Sequence, residues 1–264
     1  MLPRMTLASS ASAARPRPPL IDPGDRMHPE ASSNETVADR SDAADVLSGL
    51  LDSRYSCRGY LSTPVPRATI ERVLQIAQRT ASWCNSQPWQ VTIVSGDATD
   101  RFRQALLAHV ASNPPASDIA WPREYRDQYR DRRRECGLQL YKAVGIARDD
   151  KAGAQRQSLE NYRLFGAPHV ALISTPEALG PYGAVDCGAY VGSFMLAARS
   201  LGIATIAQAA LASHAAFVRD HVGIPADRQL VCGISFGYED PAHPANQFRT
   251  SRATTQDAAS WIER

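Results

Sequence analysis

Apolar side chains recur along the chain at two periods, and these predict helices and strands. In residues 67–80, Ile70, Val73, Leu74 and Ala77 follow the i, i+3, i+4, i+7 spacing of an amphipathic helix. Short apolar runs, such as Trp89–Val94, are typical of strands. The predicted helices lie at about 45–51, 67–80, 102–110, 123–147, 186–201 and 213–222, and the predicted strands at 89–94, 169–174, 203–207 and 230–236.

The order of these elements predicts an α+β fold with a mixed sheet flanked by helices. Helices and strands do not alternate regularly as they do in a doubly wound fold, and neither G-x-G-x-x-G nor a P-loop sequence occurs. Residues 186–201 are small and apolar on nearly every side, which predicts a buried central helix. Gly202 follows at the position where a helix commonly ends.

Two terminal regions differ from this pattern. Residues 1–42 contain Pro16, Pro18, Pro19, Pro23 and Pro29 and show neither period, so we expect a disordered tail preceding one domain at 43–264. The Pro-rich run after Tyr238 leads into an extended carboxyl-terminal arm. An arm with few partners of its own favours exchange between two subunits and therefore a dimer.

Composition and charge exclude several classes of protein. The net charge of +2, from 29 basic and 27 acidic residues, argues against nucleic acid as the main partner. No run approaches about 18 apolar residues, so a membrane-spanning helix is not expected. Five widely spaced cysteines without C-x-x-C, and histidines without ligand spacing, argue against a disulfide framework and a metal site. Acidic residues in the tail argue against a transit peptide, and we predict a cytoplasmic protein.

Two arginine-rich segments are candidate anion sites. In Arg54-Tyr55-Ser56-Cys57-Arg58, an extended backbone would place the first, third and fifth side chains on one face. Two guanidiniums and a hydroxyl there would bind a phosphate or carboxylate by charge-assisted hydrogen bonds. The segment 246–252, which contains Arg249 and Arg252, could complete such a site. The alternative for both is an ordinary solvated basic segment.

Two further segments carry groups that bind heterocycles. The loop 82–89 combines Ser82 and Trp83 with the amides of Asn85 and Gln87, which can pair with or stack on a ring. The alternative is a turn whose tryptophans fill the core. After the strand at 203–207, a turn containing Gln208 and Ala209 can direct a backbone N–H toward a ligand, or can simply join two elements.

In this order, the four segments resemble the flavin-dependent nitroreductase family, and most closely its nitrobenzoate-reductase-like branch. The matching sequences are RYSCR at 54–58, ASWCNSQPW at 81–89, AQAA at 207–210 and NQFRTSR at 246–252. The resemblance covers roughly residues 45–262. The sequence departs from the family pattern at Ala81, where proline is usual, and at Ala209, where glycine is common.

The resemblance implies a largely antiparallel sheet flanked by helices, in an intertwined homodimer with FMN at the interface. Arg54, Ser56 and Arg252, together with Arg249, would hold the phosphate, and Arg58 would approach the pyrimidine edge of the flavin. The ring would be contacted by the loop at 82–87, from the partner subunit, and by Gln208 and Ala209. The full set of implied cofactor-binding residues is Arg54, Tyr55, Ser56, Arg58, Ser82, Trp83, Asn85, Gln87, Asn161, Gln208, Ala209, Arg249 and Arg252.

The implied activity is a ping-pong reaction in which NAD(P)H reduces the flavin and an electron-poor nitroaromatic or quinone reoxidises it. No side chain is expected to be essential for acid–base catalysis, because the flavin carries the chemistry. The same scaffold also serves reductive dehalogenases and flavin-destroying enzymes. A non-catalytic flavin-binding protein is a further alternative, and so is a protein that binds no flavin.

Overall fold

The computed structural model describes residues 37–263 of the chain, and side chains are described from residue 42 onward. This part of the chain contains seven α-helices and four strands. The chain divides into two units, Met1–Ala43 and Ala44–Arg264. In chain order the elements are α1 (Val37–Ser53), α2 (Arg67–Ala77), β1 (Gln90–Ser95), α3 (Asp97–Ser112), α4 (Asp127–Ala143), α5 (Lys151–Leu159), β2 (His169–Pro176), α6 (Gly180–Ser200), β3 (Ala204–Gln208), α7 (Ala215–Val222) and β4 (Arg228–Gly237).

The strands form one sheet in the order β1-β2-β4-β3, and every pair of neighbouring strands is antiparallel. Parallel pairing occurs only as isolated bridges in the described chain, one of them joining Ser56 to Thr205 on β3. The two central strands, β2 and β4, are buried along most of their length. The predicted α+β fold with a largely antiparallel sheet is therefore confirmed.

Helices cover both faces of the sheet, because alternate strand residues point to opposite sides. On one face Ala171 and Ile173 of β2 pack with α2 and α6, whose Phe194 is fully buried. On the other face Val170 and Leu172 pack with α3 and α7. The sheet is thus the middle of three layers, and β3 forms one of its edges.

The region after α3 differs most from the prediction. The single helix expected at 123–147 is wrong: α4 occupies only Asp127–Ala143, and a separate helix, α5, follows at Lys151–Leu159. Asp150 caps α5, since its side chain accepts a hydrogen bond from the Gly153 N–H at 2.7 Å. An aspartate at this position is a recognised start signal, and it was the available clue to the missed helix.

Helix α1 begins at Val37, inside the segment 1–42 that was expected to be a tail. The last proline before α1 is Pro29, so no proline of the tail opposes a helix that begins at Val37. For residues 1–36 the expectation of a tail lies outside the described residues. No helix within 37–263 has the length and apolar character needed to span a bilayer.

Helix α6 begins at Gly180, six residues before the predicted start. Its first turns were missed because they contain glycine and Pro181, and because Tyr182 and Val185 are exposed rather than buried. Its end agrees with the sequence: Gly202 follows the cap residue with φ of 74°, a conformation that glycine adopts without strain. The chain then turns directly into β3.

Candidate functional site

The segment Arg54–Arg58 runs from the end of α1 along the β3 edge of the sheet. Its backbone is anchored there, because the Cys57 N–H donates to the Thr205 carbonyl at 3.1 Å. Cys57 itself is fully buried. Arg54, Ser56 and Arg58, which alternate with the buried Cys57 along the extended segment, all line one cavity, and Tyr55 borders the same cavity.

The carboxyl-terminal arm closes this cavity from the opposite side. Phe248, Arg249, Thr250 and Arg252 line it together with the first segment and with Cys136 of α4. The volume of this space, which we call the arginine cavity, is about 260 Å³. Two segments that are nearly 190 residues apart in sequence therefore meet at one site.

The electrostatics of the arginine cavity favour an anion. Within residues 37–263, none of its four guanidiniums, Arg54, Arg58, Arg249 and Arg252, forms an ion pair with a carboxylate. Burial and the nearby positive charge of Arg252 lower the pKa of Arg54. Burial also lowers the pKa of Arg58. One carboxylate, Asp52, also lines the cavity, so the guanidiniums outnumber the carboxylates there. Guanidiniums that form no ion pair are donors suited to a phosphate group.

Asn246 ties the two halves of the cavity together. It is buried, and its Oδ1 accepts from the Arg58 N–H at 2.8 Å. Its Nδ2 donates to the carbonyls of Gly59 and Asp240, both at 2.9 Å. The side chain thus fixes the backbone on which Arg58 stands. Asn246 belongs to the segment NQFRTSR but is not among the cofactor-binding residues that the resemblance implies.

Tyr55 borders the arginine cavity and also holds the carboxyl-terminal arm in place. Its hydroxyl donates to Glu239 Oε2 at 2.6 Å, and the Arg249 guanidinium lies 3.6 Å from the centre of its ring. Burial, followed by this hydrogen bond, raises the pKa of Tyr55. Arg249 is therefore held by a cation–π contact, at the border of the cavity.

The loop 82–87 contacts other parts of the same chain and does not line the arginine cavity. The Trp83 N–H donates to Asp186 Oδ1 of α6 at 3.1 Å, and the Trp83 ring lies edge-on to Tyr182. Gln87 Nε2 donates to Asn85 Oδ1 at 3.0 Å, so the two amides bind each other. The loop also holds the Gln87 N–H against Ser82 Oγ at 2.9 Å.

Backbone strain is concentrated in this loop. Cys84, Asn85 and Gln87 have φ of 49°, 54° and 46°, which non-glycine residues seldom adopt. Trp83 is 56% exposed. Strained backbone and exposed large rings are both common at binding sites, so the loop keeps its place among the candidate site segments. Asp186, which holds the loop, carried no signal in the sequence.

Gln208 and Asn161 meet below the end of β3. Gln208 is buried; its Nε2 donates to the Asn161 carbonyl at 2.8 Å and its Oε1 accepts from Ser235 Oγ at 2.5 Å. Its amide is therefore fully used within the protein. Ala209 is exposed and has no positive φ, so the alanine in place of the family's usual glycine brings no backbone strain.

Comparison with known families gives a match over most of the chain. The family model described as "Nitroreductase family" matches residues 51–238. A curated relative, "Nitroreductase NfnB" of Mycolicibacterium smegmatis, is 37% identical over 214 residues, covering 80% of this chain and 91% of the relative. The "4-nitrobenzoate reductase" of Pseudomonas putida is 30% identical over 213 residues, covering 80% and 93%.

Solved structures agree with the sequence relatives. The FMN-dependent nitroreductase NfnB from Mycobacterium smegmatis, crystallised in complex with NADPH, superposes with a TM-score of 0.81 at 34% sequence identity. The alignment covers 84% of this chain and all of that chain. The family match over residues 51–238 includes all four strands of the sheet and the Arg54–Arg58 segment of the arginine cavity.

Proposed function

Because the chain belongs to the nitroreductase family, we propose that it is an FMN-dependent oxidoreductase that uses NAD(P)H to reduce nitroaromatics, quinones or similar electron-poor acceptors. The observation that carries this proposal is the arginine cavity, which gathers four guanidiniums without a carboxylate partner in the described chain. The relatives described above are all reductases, and no feature of residues 37–263 favours a dehalogenase, a flavin-destroying enzyme or a flavin sensor.

The residues of the arginine cavity fit the phosphate of FMN. Arg54 and Arg252 supply forked donors and Ser56 supplies a hydroxyl, the combination that binds a dianion most strongly. Arg249 adds positive charge from its place against Tyr55. We assign Arg58 to the pyrimidine edge of the flavin, where a cation stabilises the negative charge that reduction creates. When bound, FMN supplies the hydride and electron transfer between NAD(P)H and the acceptor.

The other candidate residues are assigned to the flavin ring. The side chain of Gln208 donates to the Asn161 carbonyl, so both residues would act by positioning the turn at Ala209, whose N–H would point to the ring. Ser82, Trp83, Asn85 and Gln87 would approach the ring from the partner subunit. None of these four residues lines the arginine cavity of the same chain, which supports that arrangement.

The function is tested by an absorbance spectrum of the purified protein before and after anaerobic NADPH or NADH. We expect flavin bands that bleach on reduction and return when a nitroaromatic is added. A flavin that neither nucleotide reduces would favour a binding protein. A colourless protein that FMN cannot reconstitute would overturn the proposal.

We propose a homodimer as the active form. Large apolar side chains are exposed on α1 (Val46, Leu47, Leu51) and α6 (Tyr182, Val185), and at the end of the arm Trp261 and Ile262 are 86% and 91% exposed. Apolar surface of this extent marks an interface. Sedimentation equilibrium should give twice the chain mass of 28.7 kDa. A monomer that retains FMN and turnover would contradict the dimer and the exchanged loop.

The cytoplasm is the compartment we propose. All five cysteines lie in the described part of the chain and are free, as a reducing compartment requires. Cell fractionation is the direct test.

A further inference from the structure

Four side chains form a continuous series of hydrogen bonds between the core and the loop 82–87. Trp89 Nε1 donates to Gln78 Oε1 at 3.1 Å, and Gln78 Nε2 donates to Gln87 Oε1 at 3.0 Å. Gln87 Nε2 in turn donates to Asn85 Oδ1 at 3.0 Å. We call this series the amide relay. It joins a buried tryptophan to an exposed asparagine that is a candidate for contact with the flavin ring.

The direction of the amide relay is set at its buried end. An indole nitrogen carries a hydrogen and can only donate, so the oxygen of the Gln78 amide must face Trp89. The nitrogen of the same amide then faces Gln87, and the same choice passes on to Asn85. An amide by itself can present either its oxygen or its nitrogen to a neighbour, and the two orientations have nearly the same shape. One group that cannot accept therefore decides the orientation of three amides.

The buried end of the amide relay is held firmly enough to impose this direction. Trp89 is only 8% exposed, and its ring stacks on that of Tyr190 of α6 with the centroids 5.0 Å apart. Gln78 is the cap residue of α2, and its backbone N–H donates to the Leu74 carbonyl at 2.8 Å. The indole therefore cannot turn away from Gln78 without disturbing the packing of the core.

The exposed end of the amide relay is left with hydrogen-bond donors. Asn85 Oδ1 is used by Gln87, and among residues 37–263 no protein group accepts from Asn85 Nδ2. Ser82 Oγ accepts from the Gln87 N–H at 2.9 Å, so the hydrogen of that hydroxyl is also left to donate. The loop thus presents N–H and O–H groups, and not oxygen lone pairs alone, to the group that binds there.

We infer that Trp89 and Gln78 are positioning residues, which act through the amide relay to hold Asn85 as a donor to the acceptor atoms of the flavin ring. The inference rests on the proposed function, which assigns the loop 82–87 to that ring. The ring of FMN has carbonyl oxygens and unprotonated nitrogens at which negative charge grows on reduction, and a fixed donor there stabilises the reduced form. An oxygen in the same place would destabilise it. The side chains at 78 and 89 therefore tune the reduction potential through two intervening amides.

Gln78→Glu reverses the amide relay while keeping its shape. A carboxylate still accepts from the Trp89 indole, but it has no N–H for Gln87, so the amides of Gln87 and Asn85 turn over and an oxygen faces the flavin. We expect reduced FMN to bind about tenfold more weakly relative to oxidised FMN, which for a two-electron couple lowers the midpoint potential by about 30 mV. Gln75→Glu is the matched control, because it adds the same charge to the exposed surface of α2 outside the relay. It should change the ratio by less than about threefold.

A double-mutant cycle separates the amide relay from the direct effect of the added charge. In the Asn85→Ala background the relay has no end group, so Gln78→Glu should lower the potential no more than Gln75→Glu does. Spectroelectrochemical titration of the FMN-loaded protein gives the potentials. Heteronuclear NMR of the apoprotein gives a readout without the cofactor: the Trp89 indole N–H, identified by its loss in Trp89→Phe, should shift downfield in Gln78→Glu because its acceptor is then charged.

The outcomes separate this inference from the proposed function. Equal potentials in Gln78→Glu and Gln75→Glu, or a full effect of Gln78→Glu in the Asn85→Ala background, would overturn the inference in a protein that still binds FMN and turns over. An indole resonance that Gln78→Glu leaves in place would also overturn it, since Trp89 would then not direct the amides. Failure of the unsubstituted protein to bind FMN would contradict the proposed function, and the role of Asn85 with it.

Discussion

Replacing Arg54 with glutamine should weaken FMN binding to the apoprotein by about 10- to 100-fold without lowering its free energy of unfolding. The lost affinity corresponds to charge-assisted hydrogen bonds of a guanidinium to phosphate. The unfolding free energy should be equal or slightly higher, because burial and then the positive charge of Arg252 lower the pKa of Arg54 in the free protein. Removing one of two cations that repel each other relieves the apoprotein.

The two halves of this prediction need separate measurements. Quenching of FMN fluorescence gives the dissociation constant, and urea unfolding of the apoprotein gives the stability. Arg101→Gln is the control, since Arg101 is an exposed arginine of α3 that does not line the arginine cavity. Unaltered FMN affinity in Arg54→Gln would remove this residue from the phosphate site. A large loss of stability would indicate a structural role instead.

The sheet and the long buried helix could be predicted from the sequence because their signals are local. Apolar residues of β2 alternate between two helical layers, and α6 carries small apolar residues on most sides. The helices between α3 and β2 could not be predicted in this way, because few side chains in that region are buried. No residue of α4 is buried, so no apolar stripe marks its limits, and the cap at Asp150 was the one local signal for α5.

The candidate site was predictable in its parts and not in its assembly. Alternation along an extended strand places Arg54, Ser56 and Arg58 on one face, and the structure agrees. Spacing says nothing about which distant segment a polar side chain will meet. Gln208 was expected beside the flavin ring through the backbone of its turn, and its side-chain amide is buried against Asn161. Only the folded chain shows which donors remain free for a ligand.

Asn246 is a second example of what the sequence does not reveal. No sequence signal distinguishes this residue, yet it joins the two segments that form the arginine cavity. Its three hydrogen bonds join the backbone at 58–59 to the backbone at 240. Since Arg58 lines the arginine cavity, the position of this one amide affects the proposed FMN site.

Asn246→Ala should lower the free energy of unfolding of the apoprotein by about 2–4 kcal/mol, because it leaves the Arg58 N–H without its partner and removes one of the hydrogen bonds that the carbonyls of Gly59 and Asp240 each accept. FMN affinity should fall as well, since Arg58 loses its support. Urea unfolding and FMN titration measure the two effects. Gln247→Ala, at the exposed neighbouring position, should change the stability by no more than about 0.5 kcal/mol. An unfolding midpoint that Asn246→Ala leaves in place would mean that the arm is held by its other contacts, the stacking of Arg249 on Tyr55 first among them.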